Sequence, residues 1–250
     1  MNRSFGITDP GLKRKDNQDT FFTSDEHGLW ILADGMGGNR GGEVASQIAK
    51  ESLSKELIED VDIKTAILTA HRAILSHGSE NFELKGLGTT VVLVKEFVRK
   101  IRIVWVGDSR VYLWRNQTLT QLSKDHSVVE RLLDSGMINK SEAINHPQRN
   151  LVTSVLGLSL SDDADLEIGQ LEEEWREGDK LMLCSDGLSD ELEDTQIKEI
   201  MTSQTDSESQ VDALLKAALA AGGRDNTTVV IIDAPKIKSL IERLLDWIKN

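Results

Sequence analysis

The sequence predicts an α+β fold in which antiparallel strands and paired helices form separate layers. Strand-like runs rich in Val, Ile and Leu occur in groups, and helical patterns fall in pairs between those groups. Strands and helices do not alternate strictly, as they would in a doubly wound parallel sheet. The chain has 250 residues, which is enough to bury a sizeable core.

The expected strands are apolar or β-branched runs bounded by turn residues. They lie near residues 3–8, 19–23, 29–33, 88–95, 100–106, 110–115, 164–171, 179–184 and 227–232. The link Gly107-Asp108-Ser109 joins two of these runs. A link that short predicts that the two strands pair as antiparallel neighbours.

The expected helices have apolar residues at helical spacing. They cover residues 43–58, 63–76, about 128–133, and 211–221. Asp62 is expected to cap the second of them. Gly136 and Gly222 are expected to end the last two. The stretch 139–160 has weak periodicity, which is typical of a lid or a mobile loop.

Composition and charge exclude several classes of protein. The chain has 29 basic and 42 acidic residues and a net charge of −13, which argues against a nucleic-acid binder. A single cysteine, Cys184, cannot form an internal disulfide, and it is expected to be a small buried apolar residue. We find no signal peptide and no run of about 20 apolar residues that would span a bilayer. We therefore expect a cytoplasmic protein without a transmembrane segment.

Five aspartates stand at the ends of apolar strands beside glycine or asparagine. They are Asp19, Asp34, Asp108, Asp186 and Asp225. One such residue usually marks a turn, but strand ends can converge on one edge of a sheet-based core. Clustered carboxylates need cations, because they repel each other and are costly to desolvate. Oxygen ligands without Cys or His select Mg²⁺ or Mn²⁺, and adjacent glycines allow a backbone carbonyl to approach a metal.

One arginine belongs with these aspartates. Arg14 precedes Asp19 by five positions. A guanidinium beside a metal pair can hold two phosphate oxygens at once. The alternative for an isolated arginine is an ordinary surface residue.

Seven motifs occur in a specific order along residues 3–233. They are Arg14-Lys15-Asp16-Asn17-Gln18-Asp19, Asp34-Gly35-Met36-Gly37-Gly38, Gly86-Leu87-Gly88-Thr89-Thr90, Val106-Gly107-Asp108-Ser109-Arg110, His146-Pro147 with Leu156-Gly157, Ser185-Asp186-Gly187-Leu188, and Gly223-Arg224-Asp225-Asn226-Thr227-Thr228. In this order they resemble the metal-dependent PPM (type 2C) Ser/Thr protein phosphatases in their compact bacterial form. The resemblance implies two stacked antiparallel β-sheets flanked by helix pairs on both outer faces.

The resemblance also implies a site that holds two to three Mn²⁺ or Mg²⁺ ions. By position, Asp34 would bridge two ions and the Gly35 carbonyl would bind one of them. The remaining ligands would be Asp19, Asp186 and Asp225, with Asp108 in a third, weaker site. Arg14 would bind the substrate phosphate, so Arg14 and Asp34 are the residues expected to serve catalysis directly.

The implied reaction is hydrolysis of phosphoserine and phosphothreonine by a metal-activated water. Some relatives carry a histidine, proposed as the general acid, directly after the Asp-Gly pair, where this chain has Met36. We therefore assign no side chain as the acid, and a metal-bound water is the expected proton source. The other candidates are expected to be capping or surface histidines, and they are His71, His77, His126 and His146.

The sequence leaves two other functions open. One is a catalytically inactive relative that serves as a regulatory or binding module, and the other is a phosphatase of small phosphometabolites. For an active enzyme, the implied partners are phosphoproteins, namely a Ser/Thr kinase and its substrates, and not nucleic acid.

Two regions are expected along the chain. Residues 1–234 form the phosphatase domain, and residues 235–250 form an amphipathic helix extension. Its apolar stripe comprises Ile237, Leu240, Ile241, Leu244, Leu245 and Ile248. The stripe could pack on its own domain, a second copy, a partner or a membrane surface.

Overall fold

A computed structural model describes residues 3–37, 40–81, 84, 86–98, 100–158 and 166–236. The strands in these ranges are β1 (Ser4–Asp9), β2 (Asp19–Ser24), β3 (Leu29–Met36), β4 (Gly88–Thr89), β5 (Val91–Phe97), β6 (Lys100–Val106), β7 (Arg110–Arg115), β8 (Thr118–Gln121), β9 (Gly169–Glu174), β10 (Lys180–Cys184) and β11 (Thr227–Asp233). The helices are α1 (Gly41–Ile58), α2 (Ile63–Glu80), α3 (Val128–Asp134), α4 (Lys140–Ile144), α5 (Asp186–Ser189), α6 (Asp194–Ser203) and α7 (Ser207–Ala221).

The strands form two antiparallel sheets. The first sheet has the order β1-β11-β10-β7-β8, and the second has the order β2-β3-β5-β6-β9 with β4 paired to β3. Helices α1 and α2 pack on the outer face of the second sheet, while α6 and α7 pack on the outer face of the first. The predicted α+β sandwich is therefore confirmed.

Strand β3 shows how the sequence builds these layers, because neighbouring side chains of a strand point to opposite faces. Leu29, Ile31 and Ala33 pack with the helices α1 and α2. Trp30 and Leu32 lie in the layer between the two sheets. All five side chains are fully buried. A continuous apolar run is therefore what a strand covered on both faces requires.

Several predicted elements agree with the structure. Asp62 caps α2, and its Oδ2 accepts a hydrogen bond from Thr65 N at 3.1 Å. Gly136 follows the end of α3 with a φ of 68°, and Gly222 is the C-cap of α7. Cys184 is buried, as expected. No helix in the described part of the chain is long and apolar enough to cross a membrane.

Two predicted strands differ from those observed. The run 88–95 is divided into β4 and β5, because Thr90 between them donates its backbone N–H to Asp34 O at 2.9 Å. The strand expected at 164–171 is β9, which begins only at Gly169 and runs to Glu174. The short strand β8 and the helices α4, α5 and α6 were not predicted.

The hairpin predicted across Gly107-Asp108-Ser109 is wrong. Strand β6 belongs to the second sheet and β7 to the first, so this link crosses between the layers. Gly107 has a φ of 108°, and a Cβ atom there would lie 2.6 Å from the Thr90 side chain. Local spacing cannot distinguish a turn within one sheet from a step between two sheets.

Of the stretch 139–160, the described residues 139–158 are irregular apart from α4, whose first turn is a capping box of Asn139 and Glu142. Its later part is attached to the core by two isolated bridges. Val152 pairs with Ser127, and Leu156 pairs with Thr89. The amphipathic helix expected after residue 235 falls on residues 237–250, which lie outside the described residues.

Candidate metal centre

The sheets bring the five singled-out aspartates to one end of the sandwich. Asp19 opens β2 and is the register partner of Asp34 near the end of β3. Asp108 follows β6, and Asp186 begins α5 directly after β10. Asp225 lies two residues before β11. The second sheet thus supplies three of the carboxylates and the first sheet supplies two.

The carboxylates are close enough to change each other's acidity. Burial, and then the charges of Asp19 and Asp186, raise the pKa of Asp34 well above its usual range. Burial, followed by the charge of Asp108, does the same to the pKa of Asp186. Burial raises the pKa of Asp19 to about 6. Without cations, this cluster therefore holds protons near neutral pH.

Asp108 lies in the same field. Burial, and then the charge of Asp125, raise the pKa of the Asp108 carboxyl to about 7. Asp125 itself forms a bidentate ion pair with Arg110, with distances of 3.0 Å from Nε and 2.7 Å from Nη2 to Oδ2. Neither Asp125 nor the role of Arg110 was expected from the sequence.

Asp19 is held by one of its two oxygens only. Its Oδ2 accepts hydrogen bonds from Ser185 Oγ and Thr228 Oγ1, each at 2.7 Å. Its Oδ1 is buried and has no hydrogen-bond donor among the described residues. The Asp34 carboxyl could donate a hydrogen bond to Asp19 only in its protonated form. A buried acceptor without a donor is costly, and a cation would satisfy it.

Gly35 sits where no other residue fits. A Cβ atom there would lie 2.1 Å from Gly42 O and 2.6 Å from Gln18 O. The Gly35 N–H donates to Gln18 O at 3.1 Å. The chain before β2, the end of β3 and the first turn of α1 therefore meet backbone to backbone beside Asp34.

Arg14 lies at the rim of the cluster. Its Nη2 donates to Asp225 Oδ2 at 2.6 Å, and its side chain is 58% exposed. Asp225, and to a smaller extent Asp186 and Asp34, raise the pKa of Arg14. The guanidinium therefore faces both the carboxylates and solvent, as a phosphate-binding arginine must.

Two of the four candidate histidines are neither capping nor surface residues. His71 and His126 are buried. His71 Nδ1 accepts a hydrogen bond from Gly157 N at 3.1 Å, and His126 Nδ1 accepts one from Gly107 N at 3.2 Å. They are thus core side chains that accept the backbone N–H groups of Gly157 and Gly107. The fold packs α2 and the segment before α3 against the loops that contain these glycines.

The remaining two histidines are nearer to the expectation. His146 accepts the backbone N–H of Gln148 in a local turn at 3.2 Å, which is a capping role. His77 lies half-buried in the last turn of α2. Among the described residues, neither histidine contacts the aspartate cluster.

The donor set suits hard divalent cations, although it is not a finished cage. Among the described residues, no group of three or more Asp, Glu, His or Cys side chains is arranged to hold a metal ion as it stands. Mg²⁺ and similar ions are commonly held by one or two carboxylates and several waters. The unpartnered Asp19 Oδ1 and the proton-holding carboxylates around it fit that mode of binding.

The raised pKa values predict how the metal-free protein responds to pH. Because the folded carboxyls bind protons more tightly than the unfolded ones, their stabilising contribution is present in full below about pH 4 and is lost as the pH rises through about 6 to 7. We expect the melting temperature in EDTA to fall by several degrees from about pH 5 to about pH 8, with Mn²⁺ reversing the loss at the higher pH. Thermal melts with and without Mn²⁺ test this. A flat profile in EDTA would contradict the raised pKa values.

Comparison with known proteins agrees with this geometry. A family model described as protein phosphatase 2C matches residues 13–221. The serine/threonine phosphatase stp of Listeria welshimeri is 35% identical over 239 residues, which cover 90% of this chain and 93% of the Listeria protein. The crystal structure of the Mycobacterium tuberculosis phosphatase PstP/Ppp superposes with a TM-score of 0.85 at 35% identity, covering 94% of this chain and 99% of that one.

A second solved structure contains metal. The catalytic domain of PstP in complex with two manganese ions has a TM-score of 0.83 at 34% identity, covering 94% of this chain and 98% of that one. The motif order, the sandwich and the aspartate cluster therefore occur together with a family model that spans most of the chain. The chain belongs to the protein phosphatase 2C family.

Proposed function

We propose that this chain is a metal-dependent protein phosphatase that hydrolyses phosphoserine and phosphothreonine. The observation that carries the proposal is the convergence of five aspartates from two sheets beside an exposed arginine. Clustered carboxylates with raised pKa values and an unpartnered buried oxygen call for divalent cations. An arginine at the rim calls for an anionic substrate group.

The place of each aspartate in the two sheets suggests its role as a ligand. The charges of Asp19 on its own sheet and of Asp186 on the other both act on Asp34, so Asp34 would help to hold both ions. Asp19 would contribute its free Oδ1, and the Gly35 carbonyl would contribute a neutral donor. Asp225 completes this set from the first sheet. When bound, Mn²⁺ or Mg²⁺ ions supply Lewis acidity that activates a water and neutralises charge on the phosphoryl group.

Asp108 is proposed to hold a third, weaker ion. Burial and the charge of Asp125 raise the pKa of its carboxyl, and Asp108 lies within the link that steps between the sheets. The competing charge of Asp125 is itself tied up by Arg110. A site with fewer charged oxygen ligands binds a cation less tightly.

Arg14 is proposed to bind the substrate phosphate. Its bond to Asp225 fixes one edge of the guanidinium, which leaves other N–H groups toward the opening. Arg14→Ala is expected to raise KM for a phosphopeptide about 10-fold or more, because charge-assisted hydrogen bonds to an anion contribute about 1.5–3 kcal/mol. Steady-state kinetics at saturating Mn²⁺ measure this.

The neighbouring Lys15→Ala variant is the matched control for Arg14→Ala. Lys15 is also exposed and cationic, but it forms no ion pair with the cluster in the described part of the chain. A KM change as large as that of Arg14→Ala would mean that general charge, and not the position of Arg14, binds the phosphate. Unchanged KM and kcat in Arg14→Ala would contradict its role.

No described side chain is assigned as the general acid. Met36 follows the Asp34-Gly35 pair and cannot exchange a proton. His71 and His126 use Nδ1 to accept backbone N–H groups, and burial lowers the pKa of His126. Neutral, buried imidazoles of this kind are poor proton donors, so water is the proposed source of the proton for the leaving oxygen.

The experiment that tests the function is phosphate release from a phosphothreonine peptide with Mn²⁺ and with EDTA. Rapid release that depends on Mn²⁺ is expected. A folded protein without Mn²⁺-dependent turnover would favour the inactive regulatory module. A high rate on small phosphometabolites with none on phosphopeptides would favour the phosphometabolite enzyme.

We further propose that the chain acts in the cytoplasm on a Ser/Thr kinase and that kinase's substrates. The support is the family and the lack of a membrane-spanning helix in the described ranges. Phosphoproteomics of a deletion strain would identify these substrates as phosphosites that increase. No increase at any Ser or Thr site would contradict the proposal.

The extension at residues 235–250 is proposed as a separate amphipathic helix beside the phosphatase domain of residues 1–234. Its sequence pattern is the support, since residues 237–250 lie outside the described residues. Comparing the full chain with a chain that ends at residue 235 tests it. Equal rates on a small aryl phosphate are expected, and a folded but inactive truncation would show that the extension belongs to the catalytic domain.

A further inference from the structure

We propose that Ser185 and Thr228 are positioning residues that orient Asp19 toward the metal ions. The inference rests on the proposed function, since it needs Asp19 to be a metal ligand. Thr228 lies in β11 of the first sheet and Ser185 directly follows β10 of that sheet, whereas Asp19 belongs to the second. The geometry therefore joins the two halves of the metal centre through hydroxyl groups.

The contact of the two hydroxyls with the Asp19 carboxylate is buried and short. Ser185 and Thr228 are fully buried, and Asp19 is 6% exposed. Both hydroxyls lie 2.7 Å from the same oxygen, Asp19 Oδ2. Hydrogen bonds to an ionised carboxylate are stronger than those between neutral groups. Two of them in a buried place hold the side chain in one rotamer.

The direction of the hydrogen bonds at Thr228 is fixed by a series of hydrogen bonds that begins at the Asn17 amide and ends at the Asp19 carboxylate. Asn17 Nδ2 donates to Thr8 Oγ1 at 2.8 Å, and its Oδ1 accepts the Asp19 N–H at 3.1 Å. Thr8 Oγ1 lies 2.7 Å from Thr228 Oγ1. A hydroxyl has one proton to give, so Thr8 donates to Thr228 and Thr228 donates to Asp19.

Ser185 is fixed in a similar way. Its Oγ accepts the backbone N–H of Thr228 at 2.9 Å. Its single proton is then directed to Asp19 Oδ2. Both protons therefore converge on Oδ2, and each hydroxyl is a stronger donor because it also accepts a hydrogen bond.

This arrangement divides the two oxygens of Asp19 between two tasks. Oδ2 is saturated by hydroxyl donors, and Oδ1 has no donor among the described residues. Ser185 directly precedes Asp186, and Thr228 follows Asp225 by three residues. The segments that carry the aspartates of the first sheet thus also set the orientation of the ligand from the second sheet.

The test is the Mn²⁺ affinity of EDTA-stripped protein, measured by titration calorimetry. Thr228→Val keeps the shape but removes the donor, and Ser185→Ala removes the other donor. Each is expected to weaken Mn²⁺ binding by about 10-fold or more, since groups that orient metal ligands typically contribute 10–100-fold in affinity. Thr228→Ser restores a hydroxyl and is expected to restore most of the affinity.

Thr20→Val is the matched control. Thr20 is a buried β-strand threonine directly after Asp19. Its hydroxyl accepts a hydrogen bond from Gln47 and donates to no aspartate among the described residues. The Mn²⁺ affinity of the Thr20→Val protein is expected to equal that of the wild type. The Mn²⁺ concentration for half-maximal activity should follow the same order across the variants.

The outcomes separate the inference from the function on which it rests. If wild-type protein binds Mn²⁺ and both Thr228→Val and Ser185→Ala bind it equally well, the positioning role is wrong. If Thr228→Ser is as weak as Thr228→Val, packing and not the hydroxyl is responsible, which also overturns it. If the wild type itself binds no Mn²⁺, the proposed metal-dependent function fails first.

Discussion

Replacing Asp34 by Asn is expected to lower Mn²⁺-dependent phosphate release by about 10³-fold or more, which corresponds to about 4 kcal/mol of barrier. Asp34 interacts with the carboxylates of both sheets, namely Asp19, Asp186 and Asp108. Asparagine keeps the size of the side chain but removes the charge that would hold two cations. Asp186→Asn is expected to behave similarly. Initial rates on a phosphothreonine peptide measure the effect.

The loss should be one of chemistry and not of folding. The raised pKa of Asp34 means that its charge is unfavourable in the metal-free fold, so Asp34→Asn is expected to melt no lower than the wild type in EDTA. Asp62→Asn is a suitable control, because asparagine caps a helix as well as aspartate does and Asp62 caps α2. Wild-type rates in Asp34→Asn would show that the ligand assignment is wrong.

Gly35→Ala is expected to destabilise the fold by about 3 kcal/mol or more and to abolish high-affinity Mn²⁺ binding. The added Cβ would meet the backbone of Gly42 and Gln18 at 2.1 and 2.6 Å. Overpacking against side chains typically costs 1–3 kcal/mol, and backbone moves less readily. In a chain of this length the melting temperature should fall by roughly 10 °C.

Gly41→Ala provides the control for that substitution. Gly41 lies in the first turn of α1, the helix that also contains Gly42. The atom nearest to a Cβ added at Gly41 is a Leu87 side-chain atom at 3.3 Å. Alanine also favours the helix, so little change is expected. A Gly35→Ala protein with wild-type melting and Mn²⁺ binding would mean that the backbone there separates easily.

The sequence predicted the layers of the fold well because each layer leaves a local signature. The apolar run at residues 29–33 predicted the strand β3, and Asp62 predicted the start of α2. The hairpin at Gly107-Asp108-Ser109 was wrong because the destination of β7 depends on contacts with β10. Strand β8 and helix α4, with four and five residues, are too short to carry a clear periodicity.

The site was predictable in part for a similar reason. The five aspartates were visible because each has a glycine or asparagine beside it at a strand end. The hydroxyls that hold Asp19 were not, since Thr228 is 209 positions away in sequence and threonine at a strand start is common. The burial of His126 likewise depends on the loop after β6 folding back onto it.

A calorimetric Mn²⁺ titration of EDTA-stripped protein near neutral pH shows whether the clustered aspartates hold divalent cations. At least two Mn²⁺ ions per chain are expected to bind, with proton release because the carboxyls hold protons in the metal-free state. Asp34→Asn is expected to lose the tight binding. A wild-type protein that is folded and binds no Mn²⁺ would show that these aspartates are not metal ligands.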